Sequence, residues 1–521
     1  MAIKIKPILL ILFLASVLRF WQISKIPSLN PDEAALGYNA YSLIQTGKDE
    51  HGAAWPLHFK SFGDYKPGAY VYLAIPFIKI LGLTPLAVRF PNLIFSVLTI
   101  LVLYKLIFLL SKSKKLSLYS SFILSISPWH LQFSRGAWES STALFFLLLG
   151  IYWLYLYLIN NREKYLYLFP LPLVVALATY HSARIIAPVL LLTILIFNFN
   201  KVFKAKFLIA IFIGLLLVSP VLYSFLKNGG MARFGGVGIT ADMGPLSRSE
   251  ELLNQHSNLN IITRVIHNRR LLYTISWAEK YTSHFNLNFL FISGDEVPRS
   301  KNPDMGQLYL IELPFLLLGV VELIRSKNKH LRNFAFSFLF IAPLASSLTF
   351  QAPSALRALP MLIPLSILIA LGLNSIIVCL LNRGHWKLFV SWILFFTYLL
   401  SVLYYLDAYY IHAPKRYSFA WNRGFSEVIP YIESQKDNYQ HIYLTNKYDQ
   451  PYILYLFYSK YDPKKIQSQI KLTPPDQFGF STVETIDNIT FNIPSEIPDH
   501  SLIIDSSDFE STGQSFRIYT K

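Results

Sequence analysis

The 521-residue sequence contains one cysteine, Cys379, and few charged residues. A single cysteine excludes an intrachain disulfide, and because Cys379 lies in an apolar run it says little about the redox compartment. Only 15% of the residues are charged and 53% are apolar, whereas soluble globular domains are roughly 25% charged. The apolar residues form long blocks separated by short basic connectors. This pattern argues against a conventional water-soluble enzyme and is typical of a polytopic membrane protein.

The sequence also lacks the motifs that bind nucleotides, dinucleotides and zinc. No P-loop, glycine-rich dinucleotide fingerprint or zinc-type spacing of Cys and His is present, so no cofactor is predicted. A divalent cation has no sequence support, because Gly294-Asp295-Glu296 is more simply interpreted as an exposed acidic loop. The net charge of +17 does not indicate a nucleic-acid partner, since residues 412–521 carry −2 and the first 411 residues carry +19. The basic residues belong to the membrane part.

Lys and Arg prefer cytoplasmic connectors, and this preference predicts the topology. Six basic clusters are assigned to the cytoplasm: Lys4/Lys6, Lys112/Lys114/Lys115, Arg162/Lys164, Lys201/Lys204/Lys206, Arg325/Lys327/Lys329/Arg332 and Arg383/Lys387. Two crossings must separate each consecutive pair of clusters. The prediction is therefore eleven transmembrane helices, near residues 7–23, 88–110, 116–133, 140–159, 165–180, 184–200, 207–226, 308–324, 333–350, 358–381 and 388–408.

The first of these spans and one additional apolar segment need a separate interpretation. Pro7–Trp21 follows lysines, as in a signal peptide, but no small-residue cleavage site follows it. We expect it to be a retained first span with a cytoplasmic N-terminus. The segment 69–81 has only 13 residues, and a crossing there would place Lys112 to Lys115 outside. We therefore expect it to be an interfacial helix.

This topology places three regions outside the plasma membrane: the loops 24–87 and 227–307 and the segment 412–521. Loops of this length usually carry function, and the second loop contains a glycine-rich stretch within residues 228–236. In the segment 412–521, apolar patches alternate with turn signals, which predicts a small α/β or mostly β domain. The fold class is thus an all-α transmembrane domain, residues 1–411, followed by an extracytoplasmic domain.

Two adjacent carboxylates, Asp32 and Glu33, open a predicted helix in the first outer loop. One interpretation is structural, because Asn30 is a good N-cap, Pro31 suits the first turn, and acids there complement the helix dipole and can close a capping box. The other is catalytic: one carboxylate accepts a proton from an acceptor hydroxyl as a general base. A helix N-terminus lowers a carboxylate pKa, so an apolar or anionic environment would have to offset that effect.

The same loop contains Gly63-Asp64-Tyr65-Lys66-Pro67-Gly68, directly before the interfacial helix. A solvated turn with a weak ion pair is the simpler interpretation. Alternatively, Lys66 meets a lipid phosphate at the level of the headgroups, where a cation is well placed to neutralise it.

Further polar residues lie on the predicted outer side, where basic residues are disfavoured. Each arginine taken alone is more simply an interfacial anchor. Together they would form an outward-facing anion site for a phosphate or pyrophosphate leaving group. The residues are Arg135, Glu139, His181, Arg184 and Arg357.

The arrangement of these motifs resembles the bacterial branch of the protein O-mannosyltransferase-like membrane glycosyltransferases, which share the GT-C fold with the lipid A aminoarabinose transferases. The resemblance covers roughly residues 7–408 and is carried by the Asp32-Glu33 pair, the Lys66-Pro67 dipeptide and four further motifs. These are Ala87-Val88-Arg89-Phe90-Pro91-Asn92, Ser134-Arg135 with Tyr180-His181-Ser182-Ala183-Arg184, Gly306-Gln307-Leu308-Tyr309-Leu310-Ile311-Glu312-Leu313-Pro314, and Arg357-Ala358-Leu359-Pro360. One departure is Gly68, where many relatives have a second proline.

The resemblance implies transfer of a hexosyl or pentosyl unit, with inversion, from an undecaprenyl- or dolichyl-type phosphate to an acceptor on the extracytoplasmic face. The acceptor, a lipid, glycan or protein, stays open. Asp32 is then the expected base, and Glu33 helps to position a sugar or the base. The carrier phosphate would lie against some of Lys66, Arg135, Arg184 and Arg357, within a substrate site that also includes Asp64, Glu139 and His181.

Two alternatives remain. A transporter or lipid flippase would have paired charges near the middle of its helices, often with inverted repeats. Here the charged residues collect at the outer rim, and Glu312 and Asp407 lie near the ends of spans, which favours an interfacial enzyme. A polymerase or ligase that joins lipid-linked glycans is poorly separated from the glycosyltransferase by sequence.

Overall fold

The computed structural model describes residues 6–202, 205–227, 238–256, 260–381, 386–476 and 479–521. Lys4, Lys204 and Arg383 of the predicted basic clusters, and the glycine-rich stretch 228–236, lie outside the described residues.

Most of the chain up to residue 227 is helical. Proline, serine, threonine or asparagine begins many of the helices, because these residues suit a first turn or accept a hydrogen bond from an unpaired backbone N–H. The helices are α1 (Pro7–Phe20), α2 (Pro31–Thr46), α3 (Ala69–Leu81), α4 (Pro85–Ser111), α5 (Lys114–Ile126), α6 (Pro128–Ser134), α7 (Glu139–Asn160), α8 (Glu163–Leu168), α9 (Pro170–Thr179), α10 (Ala183–Phe197), α11 (Phe199–Val202) and α12 (Ala205–Lys227).

The second half of the chain begins with shorter helices in the second outer loop. It continues with α13 (Gly244–Asn254), α14 (Ile261–Ile266), α15 (Arg269–Ser283), α16 (Glu312–Arg325), α17 (Lys329–Ile341), α18 (Leu344–Ser347), α19 (Leu362–Leu381), α20 (Trp386–Asp407), α21 (Ala413–Arg416), α22 (Phe425–Gln435), α23 (Pro451–Tyr458), α24 (Pro463–Gln469) and α25 (Phe509–Thr512). Single turns of 3₁₀ helix cover Ile239–Ala241, Pro298–Ser300, Leu359–Met361 and Lys436–Asn438, and π-helical turns cover Asn288–Ile292 and Ala408–His412.

Among the described residues, five helices are long and apolar enough to cross a membrane: Pro85–Ser111, Glu139–Asn160, Lys206–Lys227, Leu359–Cys379 and Leu388–Arg416. The chain is therefore a multi-pass membrane protein. Each of the other predicted spans coincides with a shorter helix or with a helix interrupted before a proline, as at Ser127 and Phe169. Eleven crossings, and the cytoplasmic N-terminus, remain predictions.

Helices α16 and α19 cross in direct backbone contact. A Cβ atom at Gly319 would lie 1.8 Å from the carbonyl oxygen of Leu368, and one at Gly372 would lie 1.9 Å from that of Phe315. Only glycine fits at these positions, as is common where membrane helices approach closely.

The first outer loop contains α2, a hairpin of β1 (His58–Ser61) and β2 (Asp64–Pro67), and α3. The helix α3 has the bounds that the sequence predicts, while its interfacial placement stays a prediction. The hairpin turns through Phe62 and Gly63, both with positive φ, as a two-residue turn between antiparallel strands requires. The predicted solvated turn over 63–68 is therefore wrong, because residues 64–67 form a strand.

The C-terminal segment forms a mixed five-stranded sheet with helices packed on it, which confirms the predicted α/β character. The strands β3 (His441–Leu444), β4 (Thr485–Ile486), β5 (Ile489–Thr490), β6 (Ser501–Ser506) and β7 (Phe516–Thr520) lie in the order β4-β5-β3-β6-β7. β3 pairs in parallel with β5 and β6, and the outer pairs are antiparallel.

The C-terminal segment packs directly on the first outer loop. Tyr38 on α2 donates to the carbonyl oxygen of Tyr461 at 2.9 Å, and Gln467 donates to Thr46 Oγ1, also at 2.9 Å. Near the hairpin, the backbone N–H of Ser481 donates to the carbonyl oxygen of Phe62 at 2.9 Å. These contacts place C-terminal residues beside the loop that contains Asp32.

Candidate active site

The N-terminus of α2 forms the capping box that the sequence predicts. The Asn30 side chain accepts from the backbone N–H of Glu33 at 3.0 Å, and Glu33 Oε2 accepts from the backbone N–H of Asn30 at 3.2 Å. This arrangement satisfies two otherwise unpaired donors of the first turn. Pro31 occupies the first helical position.

Glu33 is completely enclosed by donors. Nε and Nη2 of Arg89 each donate to it at 2.7 Å, and the backbone N–H of Ala137 donates to Oε1 at 2.7 Å. The side chains of Glu33 and Arg89 are 2% and 0% exposed. A carboxylate held by a two-bond guanidinium pair in the interior is anchored in one position and inaccessible to a substrate.

Arg89 also holds the segment that leads into α2. Its guanidinium donates to the carbonyl oxygens of Ile23, Pro27 and Ser28 at 2.7, 2.9 and 3.1 Å. Arg89 lies in the motif Ala87–Asn92, which contributes to the family resemblance, but it is not among the predicted site residues. The pairing of Glu33 with Arg89 joins residues far apart in the chain and has no local sequence signal.

Asp32 differs from its neighbour in exposure and partner. Its side chain is 40% exposed and forms an ion pair with Lys66, which is 18% exposed. Lys66 lies on β2 opposite Phe59, and its Nζ is 4.7 Å from the centroid of the Phe62 ring. Of the two adjacent acids, Asp32 is the one that a substrate can reach.

Gly68 fixes the end of the hairpin. Its backbone N–H donates to the carbonyl oxygen of Leu57 at 3.0 Å, which a proline in its place would be unable to do. A Cβ atom there would lie 2.6 Å from the Phe59 ring. The glycine at this position is thus required by close packing, and it holds the strand that carries Lys66.

Two further charged residues belong to this region: Asp449 lies near the Asp32–Lys66 ion pair, and Arg299 lies near Asp449. Desolvation in the cleft, and then the charge of Asp32, raise the pKa of Asp449, whereas Arg299 and Lys66 act in the opposite direction. Nη1 of Arg299 is buried without a hydrogen-bond partner among the described residues. Asp449 keeps an exposed surface, while the protein around it still desolvates its carboxyl group. Arg299 lies in the second outer loop, so it could have been predicted, like Arg184, as a basic residue on the side where basic residues are disfavoured. Asp449 has no comparable signal in the sequence.

Arg184 lies in a second polar group. Its Nη2 is 2.8 Å from Nε2 of His58, its Nη1 is 3.4 Å from Nδ1 of His181, and its guanidinium packs on the Phe225 ring at 4.7 Å. His58 is buried, and this burial, followed by the charge of Arg184, lowers the pKa of His58 to about 4. A neutral His58 therefore accepts from Arg184 at neutral pH, with its Nδ1 2.8 Å from Ser224 Oγ.

Arg135 has a structural environment and is 1% exposed. It donates to the carbonyl oxygens of Leu18, Arg19, Trp21 and Ile26 at 2.7 to 3.1 Å. The carbonyls of Leu18, Arg19 and Trp21 lie at the C-terminal end of α1, where a cation interacts favourably with the helix dipole, and that of Ile26 lies in the linker to α2. A phosphate cannot reach this guanidinium, so we leave Arg135 out of the proposed anion site.

The remaining predicted residues are distributed around the outer rim. Arg357 donates to Thr349 Oγ1 at 3.2 Å and to the carbonyl oxygen of Gln351 at 3.1 Å. Glu139 begins α7. Burial raises the pKa of Tyr70, and the charges of Glu33 and Glu139 raise it further. Asp64 begins β2 and accepts from the backbone N–H of Tyr65 at 2.7 Å.

The loop Gly294-Asp295-Glu296 is only partly as predicted. Asp295 is 2% exposed and accepts from the backbone N–H groups of Val297 and Ala355 at 2.9 and 2.6 Å. It ties the second outer loop to the segment before Arg357, so the interpretation as an exposed acidic loop is wrong for Asp295. Within the described ranges, no group of three or more His, Cys, Asp or Glu residues is arranged to hold a metal ion.

Comparison with known proteins gives one family match. The family described as dolichyl-phosphate-mannose-protein mannosyltransferase matches residues 66–223, a range that begins at Lys66 and includes Arg184. No curated protein matches the sequence.

Solved structures share the fold at low sequence identity. ArnT from Cupriavidus metallidurans bound to undecaprenyl phosphate is 12% identical with a TM-score of 0.51, over 87% of this chain and 84% of that one. The Archaeoglobus fulgidus oligosaccharyltransferase, in a complex with Zn and sulfate, is 14% identical with a TM-score of 0.51 over 87% of this chain. The present chain spans 61% of the length of that oligosaccharyltransferase.

The fold and the family match define the class of protein. The chain has the fold of the GT-C membrane glycosyltransferases, and its Asp32–Lys66 ion pair joins the start of α2 to β2. The resemblance to the protein O-mannosyltransferase-like family and to the aminoarabinose transferases is thereby confirmed.

Proposed function

We propose that this protein is an integral-membrane glycosyltransferase that moves a hexosyl or pentosyl unit from a polyprenyl-phosphate carrier to an acceptor on the extracytoplasmic face. The observation that carries the proposal is the Asp32–Lys66 ion pair, in which a partly exposed carboxylate lies beside a cation in the first outer loop. The family match over residues 66–223 and the fold of ArnT, which was solved with undecaprenyl phosphate, support a lipid-phosphate donor.

In this proposal the donor phosphate displaces Asp32 from Lys66. A phosphate brings more negative charge and more acceptor oxygens than one carboxylate, so Lys66 gains by the exchange. Nη1 of Arg299, buried without a described partner, is a second donor for that phosphate. The two cations stabilise the charge that grows on the phosphate as the bond to the sugar breaks.

The same exchange leaves Asp32 available as the base. The acceptor hydroxyl attacks the anomeric carbon from the face opposite the phosphate, which inverts the configuration, and its proton passes to Asp32. The phosphate leaves as an anion that needs no general acid. Glu33, held by Arg89 and Asn30, is a positioning residue that keeps the first turn of α2 fixed.

The proposed reaction uses no cofactor, and the N-terminus is cytoplasmic with residues 412–521 outside. A radiolabel transfer assay with purified protein, a polyprenyl-phospho-sugar and candidate acceptors tests the activity. Transfer that survives chelation with EDTA and requires Asp32 is the expected result. If the purified protein instead moves the lipid donor from one leaflet of a vesicle to the other, and no sugar is transferred to an acceptor or to water, the protein is a flippase.

A further inference from the structure

A cavity of about 820 Å³ lies between the linker from α1 to α2 and the start of the C-terminal segment. Its walls include residues 24–29, most of the segment 409–427, Gln132, Asn302 and Tyr458. The size is that of a ligand site, within the range of about 300 to 1,000 Å³ typical of such pockets. Neither Asp32 nor Lys66 lines it.

The buried polar atoms around this cavity are incompletely satisfied. Gln132, Asn302 and Tyr409 are 4%, 4% and 3% exposed. Gln132 Oε1, Asn302 Oδ1 and the Tyr409 hydroxyl have no hydrogen-bond partner among the described residues. A buried polar atom without a partner costs about 1 to 3 kcal/mol, so a ligand that offers hydroxyl groups would be bound by them.

The rest of the wall contains aromatic rings and charged residues of both signs, including Arg423 and Glu427. Trp421, Tyr410 and Tyr458 present rings, and Lys25 and Lys415 are exposed cations. Amide oxygens, a phenol and aromatic rings together suit a carbohydrate, whose hydroxyls need partners and whose C–H faces pack on rings.

Three connections tie this cavity to the proposed centre. Gln132 Nε2 donates to the carbonyl oxygen of Arg299 at 2.8 Å, and Asn422 Nδ2 donates to that of Asp449 at 3.2 Å. The wall residues Pro27, Ser28 and Leu29 lead directly into Asn30-Pro31-Asp32. Arg89 and Arg135 pin this wall through the carbonyl oxygens of Pro27 and Ile26.

We infer that this cavity binds the carbohydrate part of the acceptor, an inference that rests on the proposed glycosyl transfer. A lipid-linked donor arrives from the bilayer beside Lys66, whereas this cavity is walled by the C-terminal segment and has exposed Lys415 and Ser426 in its lining. The acceptor hydroxyl would reach Asp32 past Arg299 and Asp449.

Binding is measured by saturation-transfer difference NMR on the full chain in detergent, without donor. The probes are soluble tetrasaccharides: maltotetraose, mannotetraose and tetragalacturonic acid. At least one should bind, and Ser426→Trp, which adds bulk at an exposed lining position, should weaken its binding at least tenfold. Ser434→Trp is the matched control, since Ser434 is exposed on the same helix α22 and does not line the cavity. Asn302→Leu should weaken binding equally.

Absence of binding by all three probes, or equal binding by the Ser426→Trp and Ser434→Trp variants, would overturn the inference. Displacement of the tetrasaccharide by undecaprenyl phosphate would also overturn it, because the cavity would then belong to the donor. Sugar binding without any transfer activity would refute the proposed function and leave this site in place. Asp32-dependent transfer with an unchanged acceptor KM in Ser426→Trp would refute only the acceptor site.

Discussion

Arg89 holds Glu33 by two parallel bonds of 2.7 Å, one residue away from the partly exposed Asp32. Two adjacent carboxylates of equal formal charge thus have opposite environments. Glu33 is enclosed by five donors, whereas the side chain of Asp32 is 40% exposed and forms an ion pair with Lys66. The pair divides into a positioning residue and a proposed base.

Substitution of the two acids should therefore have different consequences. Asp32→Asn keeps the size of the side chain and removes its capacity to accept a proton, so transfer should fall about 10²- to 10⁴-fold. Loss of its interaction with the helix dipole should cost only about 0.3 to 1 kcal/mol. Glu33→Gln leaves the buried charge of Arg89 without a carboxylate partner, which should cost about 3 to 5 kcal/mol of stability.

Transfer rate and thermal unfolding in detergent, measured on both variants, test this division. Near-normal turnover by Asp32→Asn with a well-folded but inactive Glu33→Gln would exchange the two roles. Near-normal turnover by both would remove the mechanism proposed for this loop.

Lys66 should contribute more to donor use than Arg184. Lys66→Ala removes the cation beside Asp32, and loss of a charge-assisted bond worth about 1.5 to 3 kcal/mol predicts a donor KM raised about 10- to 100-fold. Arg184→Ala should have a smaller effect, because Arg184 is engaged with His58 and Phe225. Lys79→Ala, at an exposed position of α3, is the control. Unchanged donor binding in both test variants would show that the anion site is wrong.

Arg135 should contribute to stability and leave donor affinity unchanged. Arg135→Gln removes most of the donors to four carbonyls, three at the end of α1 and one at Ile26, and about 2 kcal/mol or more of stability should be lost. A lower melting temperature with an unchanged donor Kd is the expected result. A weaker donor Kd at an unchanged melting temperature would return Arg135 to the phosphate site.

Glu50 should make stability depend on pH in the neutral range. Burial, with a smaller contribution from Asp49, raises the pKa of Glu50 from 4.5 to about 8. Between these two pH values the folded state keeps a proton on Glu50 that the unfolded state has lost. The contribution of Glu50 to the free energy of unfolding is therefore fully present below about pH 4.5 and is lost as the pH rises to about 8. Melting temperatures between pH 5 and about 8.5 should decline more steeply for the parent than for Glu50→Gln. Parallel profiles would contradict the assignment.

The predicted topology can be tested by cysteine labelling in intact cells. With Cys379 replaced by serine, Ala54→Cys and Lys447→Cys should react with an impermeant reagent, because both positions are exposed and predicted outside. Lys115→Cys and Lys329→Cys, also exposed, should be protected. Labelling at 115 together with protection at 447 would reverse the orientation derived from the basic clusters.

The sequence by itself predicted a multi-pass helical membrane protein, the approximate positions of its long apolar helices and the capping box at Asn30. These features depend on local chemistry: apolar length, the bias of basic residues towards connectors, and an N-cap residue three positions before a glutamate. The helix Ala69–Leu81 follows the same rule, since a short apolar run between Gly68 and Gly82 has no other local solution.

Only the tertiary structure decided which charged residues meet. Arginines on one predicted side of the membrane look equivalent in the sequence, yet Arg135 is enclosed by carbonyls of α1 and Arg184 is paired with His58. Asp449 and Arg299 join the site from segments far from Asp32 in the chain. Such pairings depend on how helices and loops pack against each other. Packing decides which carboxylate is buried with a partner and which stays accessible, and no local sequence pattern contains that information.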